Sequence, residues 1–276
     1  MNRIAICTLT AFLLISCGDS TEKKAYAYID AAAEAMEHGR YNEAKLKLDS
    51  IRILFPDALS ARKAAIGLSQ QAELAEQRRS ILFQDSLLAI YEARLEQIRR
   101  SFVFEKDTMY MDKGIYTVSS QALEKNIGRN YLRGQVDEDG RMNLISNYTG
   151  TSFIHHKSVR VAAGDLYIDS PVSEDVYEFK DLGVCYEKCN FVAGNDGGLC
   201  AFIAMHRDEP MSVTLNGSRT IKGALSASDR KAIADLYDLS VLLSTIRQCH
   251  DVRDESERRI RFVKKNMEKS GTDTSD

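Results

Sequence analysis

Two stretches of roughly 40 residues, 58–100 and 226–268, repeat their apolar residues every three or four positions, and the segment between them repeats every two. In the first, Leu88, Tyr91, Leu95, Ile98 and Phe102 mark a coiled-coil seam. In the second, Leu236, Leu239, Leu243 and Ile246 do the same, and the seam resumes at Ile260, Val263 and Met267, with Ser228 read as the helix cap. Equal helices flanking one insert predict an antiparallel pair, with Met267 near Ala58 and Leu225 beside Arg100. His250, Arg253 and Glu257 fall where apolar residues are expected, which predicts splaying or a third helix at that level. The basic run Arg258, Arg259, Arg261, Lys264 and Lys265 reads as a solvated helix face.

Within 101–225 the period of two is clearest where Leu132, Gly134 and Val136 alternate with Tyr131, Arg133 and Gln135, and again through Met142, Leu144, Ser146 and Tyr148 after the turn Asp137-Glu138-Asp139-Gly140. Asn216-Gly217 is the strongest hairpin signal, and further turns are expected at Ala163-Gly164-Asp165 and around Asn195 to Gly198. About eight short strands joined this way read as an antiparallel sandwich or open barrel inserted between the helices. The fold class expected is therefore α+β: an N-terminal helical hairpin, a long antiparallel helix pair and an inserted antiparallel β domain.

The hairpin is predicted within 17–57. An alanine-rich helix ends at Gly39, and a second runs from Tyr41 to about Leu54 with Ala44, Leu48 and Ile51 on one face before Phe55-Pro56 stops it. Tyr28, Ala32, Ala35, Gly39, Tyr41, Ala44, Leu48, Ile51 and Pro56 match the pattern of a tetratricopeptide repeat, and the wording resembles the repeats in the lipoprotein subunit of the outer-membrane β-barrel assembly machinery. A lone repeat cannot bury its own face. The resemblance implies that the missing neighbour comes from the rest of this chain or from a protein partner docking on the hairpin.

At the N-terminus, Arg3 precedes the apolar run Ile4 to Ile15, too short to span a bilayer and patterned as a secretory signal over 1–16. Leu14-Ile15-Ser16-Cys17 resembles the bacterial lipobox, which implies acylation of Cys17 and membrane attachment through the lipid. Gly18 rather than an aspartate follows the cysteine, which favours the outer membrane, and the charge balance of Asp19 and Glu22 against Lys23 and Lys24 favours a periplasm-facing position. The tail 269–276 reads as disordered.

A net charge of -3 and export both argue against a nucleic-acid partner, and the absence of tryptophan weakens a sugar-stacking platform. No phosphate loop, G-x-S-x-G elbow or H-E-x-x-H helix occurs, so no catalytic residue or cofactor is expected. His155 and His156 are adjacent and on a strand would point to opposite faces. Cys185, Cys189 and Cys200 with His206 have the wrong spacing for a zinc knuckle, and in an exported chain a disulfide is the better default. If "GVCYEKCNFV" and "LCAFIAMH" are the strands of one hairpin, Cys189 pairs with Cys200, with Cys185 the competitor. Asp-Ser/Thr-apolar segments, Thr108 most accessibly placed, resemble acceptors of periplasmic O-glycosylation. The function expected is a lipid-anchored, non-enzymatic binding or scaffold protein; the alternative is an envelope enzyme or carbohydrate-binding protein with its site in the β domain.

Overall fold

Small residues decide the N-terminal packing. In the computed structural model, which describes residues 16–107, 109, 112–192 and 194–272, α1 (Ser16–Glu37) and α2 (Tyr41–Leu54) form the expected hairpin. They turn at Gly39, whose φ of +68° is a left-handed value that suits glycine. Ala25, Ala32 and Ala35 of α1 meet Ala44, Leu48 and Ile51 of α2, and Ala58, Ala61 and Ala65 at the start of α3 (Leu59–Ile98) complete the same cluster. Cβ-only side chains let the three helices approach closely, so the neighbour the hairpin lacks is supplied by this chain. Residues 1–15 of the expected leader, 273–276 of the expected tail and Thr108 lie outside the described residues.

The long C-terminal helix α5 (Ala227–Thr272) is capped by Ser226 rather than Ser228: the Ser226 hydroxyl accepts from the Asp229 amide at 3.0 Å and donates to the Asp229 carboxylate at 2.6 Å. The chain divides into two units, residues up to Ser86 with those from His250 onward, and Leu87–Cys249, and it passes between them inside α3 and α5.

In the first unit the α5 seam does not break where the charged residues suggested. Ser256 is buried and bonds Ser80 at 3.1 Å, Arg253 pairs with Asp85 at 3.1 Å, and Arg259 with Glu73 at 3.0 Å. The seam runs Arg253, Ser256, Ile260, Val263, Met267 in alternating steps of three and four, leaving His250 exposed and Glu257 beside rather than within it. The pairing is antiparallel as expected, but its register is corrected: carrying the Ser80–Ser256 pair forward residue for residue sets Met267 level with Ser69, not Ala58. The basic run is exposed.

In the second unit two antiparallel sheets share one core. The larger has the order β1 (Val103–Glu105), β2 (Ile115–Thr117), β3 (Tyr131–Asp137), β4 (Met142–Gly150), β8 (Val184–Phe191), β7 (Val176–Asp181). The smaller has the order β10 (Thr220–Leu225), β9 (Met211–Asn216), β5 (Ser158–Ala163), β6 (Leu166–Asp169). β3 and β4 pair through Leu132↔Ser146 and Gly134↔Leu144, so the alternation in the sequence is the alternation in the sheet. Leu132, Leu144 and Phe191 face Val159, Val161, Val213 and Leu215 of the other sheet. Each such side chain contributes about 1.5–3 kcal/mol of burial. Ile233 and Leu236 of α5 close the same inner face, Leu236 lying against Gly134, where a Cβ would come within 2.8 Å of it. Leu225 therefore belongs to the sandwich core, while Leu95, Ile98 and Phe102 pack with Leu236, Leu239 and Leu243, which corrects the expected pairing of Leu225 with Arg100.

Asn216-Gly217 does turn a hairpin, through three residues rather than two. Ala163 pairs with Leu166 across the two-residue turn Gly164-Asp165. The turn expected near Asn195 leads instead into a helix, α4 (Leu199–Met205).

Candidate functional site

β8 buries every second residue: Cys185, Glu187, Cys189 and Phe191 point inward. A carboxylate in that row must be matched by donors or be neutralised. The segment 151–157 supplies them. Glu187 Oε1 accepts from the amides of Ile154 at 2.5 Å and His155 at 2.9 Å, and Oε2 accepts from the His156 amide at 3.0 Å and ring Nδ1 at 2.7 Å. His155 takes a left-handed φ of 53°, which turns three successive N–H groups toward one anion. Burial pushes the Glu187 carboxyl upward, but the donors of His156, with the amides of Ile154 and His155, hold it below the ordinary glutamate value.

The consecutive histidines diverge, but on a loop between β4 and β5 and not on the strand that was expected. His156 is fully buried, while the exposed His155 ring bonds Glu178 at 2.9 Å and stacks on Phe153 at 5.7 Å. His156 Nε2 lies 3.0 Å from Ser146 Oγ; a neutral ring that donates from Nδ1 to Glu187 accepts the serine hydroxyl there. Ser146, His156 and Glu187 thus share the connectivity of a serine, histidine and acid relay, which single-motif reasoning missed because the three come from β4, a loop and β8. The arrangement does not expose its nucleophile. Ser146 sits mid-strand with no accessible surface, and no acyl group reaches an oxygen enclosed on all sides. The network ties β4, β8 and the loop into one polar knot.

Cys189 is the cross-strand partner of Ser146. The expected Cys189–Cys200 disulfide rested on two facing strands, and that premise is corrected: Cys200 lies on α4. Asp196 accepts from the Gly198 amide at 3.2 Å and the Cys200 amide at 2.8 Å and so starts a helix where a strand was expected. Cys185, Cys189, Cys200 and Cys249 are all free, buried thiols. Burial pushes the Cys189 thiol up to about 11 and, with Asp196 beside it, Cys200 well above its ordinary value, so neither is a ready nucleophile. His206 bonds Glu209 at 2.8 Å, and no group of three metal-ligating residues converges among the described residues. Of the glycosylation-like segments, Ser50 and Ser86 donate their hydroxyls to helix carbonyls one turn back.

The outer side of β7 and β8 carries a different feature. Phe179 and Tyr186 are directly opposed and stack at 4.7 Å with their planes 11° apart, and Tyr177, 58% exposed, adjoins Phe179 at 5.6 Å. Asp181 and Val184 close the hairpin over Leu182 and Gly183, both with positive φ, 47° and 85°. That two-residue turn suits asparagine or aspartate in its first place, because a larger side chain there costs about 1–2 kcal/mol. Leu182 is 96% exposed, so no packing within the chain offsets the strain. Tyr177, Phe179, Tyr186, Val184 and Leu182 form a largely aromatic and aliphatic ridge that ends at the hairpin tip, with Asp181 and Lys188 at the two ends of the same face.

Cys17 lies in the first turn of α1, and among the described residues no helix is long and apolar enough to cross a membrane. No family profile, curated protein or solved structure matches this chain.

Proposed function

We propose that this chain is a lipid-anchored cell-envelope protein acting as a non-enzymatic binding module, held by acylated Cys17 and docking another protein on the β7–β8 ridge. The observation that carries the reading is Leu182, a strained and almost fully exposed leucine whose position neither backbone preference nor packing explains. The tyrosines and phenylalanine behind it have the composition of an interface core. The hairpin face that the repeat resemblance would offer to a partner is occupied by α3, so the partner is assigned to the ridge instead.

Photocrosslinking tests this reading. Benzoylphenylalanine at position 182 in intact cells is expected to give a discrete protein adduct that the same label at the exposed Leu166 does not. Equal or absent adducts at both positions refute it. A hydrolase is the second reading and rests on the Ser146–His156–Glu187 connectivity alone. Labelling of Ser146 in the folded protein by a fluorophosphonate would establish it over the first.

A further inference from the structure

We infer that the α2–α3 turn is a membrane-contacting patch that seats in the headgroup layer of an anionic bilayer and sets the orientation of the first unit. The inference rests on the lipid anchor proposed at Cys17.

The N-terminal end of α1 and the α2–α3 turn lie at the same end of the hairpin. Glu22 accepts a hydrogen bond from the Ala61 amide at 2.7 Å, and Tyr28 packs edge-on against Phe55 at 5.5 Å. Cys17 precedes Glu22 on α1 by about 7.5 Å at 1.5 Å per residue. An acyl chain on Cys17 therefore brings the bilayer surface to this turn.

The turn is built for such a surface. Ile53 is 70% exposed and Leu59 71% exposed, and Leu54 between them is also exposed. On α3, Leu59, Lys63 and Ile66 occupy one exposed stripe at spacings of four and three, and the half-buried Arg62 lies on its flank toward the buried Ala58 and Ala65, donating to the Pro56 carbonyl at 2.7 Å. Lys63 thus lies between two apolar side chains on the outward stripe, with Arg62 beside it. Lys23 and Lys24 on α1 and Arg52 on α2 add exposed positive charge at the same end. Against them stand Asp19 in the first turn of α1, the exposed Asp49 and Asp57, and Glu22, whose carboxylate accepts from the Ala61 amide, so the positive excess lies on α3, at Arg62 and Lys63. Apolar tips with a positive surround fit acidic phospholipid, whereas an all-apolar groove would fit a partner helix. The acyl chains hold the protein, so the patch contributes orientation rather than residence.

The chain contains no tryptophan, so single reporters are clean. Acylated full-length Leu59→Trp, Ile53→Trp and, as a control, Leu82→Trp are placed in phosphatidylethanolamine–phosphatidylglycerol vesicles containing brominated acyl chains. Leu82 is exposed on the same helix about 35 Å from Leu59. The indoles at positions 59 and 53 are expected to shift their emission to the blue and to be quenched, and the indole at position 82 to show neither change. If Cys17 takes up labelled fatty acid but the Leu59→Trp reporter is quenched no more than the Leu82→Trp control, the patch is refuted and the anchor stands. If Cys17 takes up no acyl label, the anchor falls, and this inference with it.

Discussion

Glu178 and Glu187 stand directly opposite each other on β7 and β8, and consecutive histidines answer them one each, His155 at 2.9 Å from Glu178 and His156 at 2.7 Å from Glu187. Like charges opposed across a ladder destabilise a sheet. Here each carboxylate has its own imidazole, and the two pairs differ in exposure: the His156–Glu187 pair is sealed and the His155–Glu178 pair is reached by water.

That difference sets the cost of mutation. Glu187→Gln leaves an amide N–H₂ facing donors that need an acceptor, and is expected to destabilise the protein by about 3 kcal/mol. Glu178→Gln is expected to cost under about 1 kcal/mol, as exposed pairs do. Urea unfolding followed by circular dichroism measures both, and equal effects would show that the buried pair is not the anchor of the loop.

The acid limb of stability follows from the same carboxylate. Its folded-state pKa lies below the ordinary value of about 4.5, so the unfolded chain binds the proton first and stability falls as pH drops through the interval beneath that value. Above it the contribution is fully present. Glu187→Gln is expected to flatten this part of the pH profile, which a series of unfolding curves between about pH 3 and 6 would read out.

Gly217 is required for close approach. A Cβ there would lie 2.1 Å from the Ile154 carbonyl oxygen, within the loop that grips Glu187. Gly217→Ala is expected to cost about 1–3 kcal/mol. Gly223→Ala, with open space around it, is the matched control and is expected to be tolerated in the same thermal melts.

The cysteines make a chemical prediction. Iodoacetamide at about pH 8 is expected to leave Cys185, Cys189, Cys200 and Cys249 unmodified in the folded protein and to alkylate all four after denaturation without reductant. A peptide pair linked through Cys189 and Cys200 in the mass spectrum would contradict the free-thiol arrangement.

At the ridge, stability and binding are expected to move in opposite directions. Leu182→Asn places a residue that tolerates positive φ at the strained position and is expected to stabilise the hairpin by about 1 kcal/mol. The same change is expected to reduce the partner adduct formed by benzoylphenylalanine at position 179. An adduct of unchanged yield would remove Leu182 from the interface.

Much of the architecture was legible because period and turn chemistry agreed. Ala44, Leu48 and Ile51 are the buried face of α2, and the β3–β4 alternation survives residue for residue. The run from Leu199 to Met205 was not legible as a helix, since seven apolar residues fit a buried strand equally well. Asp196, placed to accept the Cys200 amide, was the local signal for a helix start. The register of α3 against α5 failed for a tertiary reason: Leu225 and, on the first turns of α5, Ile233 are drawn into the sandwich core, so packing against Leu95 and Ile98 of α3 starts only at Leu236. The Glu187 knot left one trace, a charged residue at an inward position of β8 between Cys185 and Cys189. The partners that satisfy it are some thirty residues away and reach it only through the fold.

The inner face of β3 and β4 is completed by Ile233 and Leu236, which are synthesised about a hundred residues later. A chain that crosses a membrane N-terminus first therefore delivers Cys185, Cys189 and Cys200 to the far side before the helix that seals their core arrives. If the chain is exported as proposed, the thiols stand open in an oxidising compartment during that interval, and a stall in translocation short of α5 exposes them to mispairing that burial in the folded protein opposes.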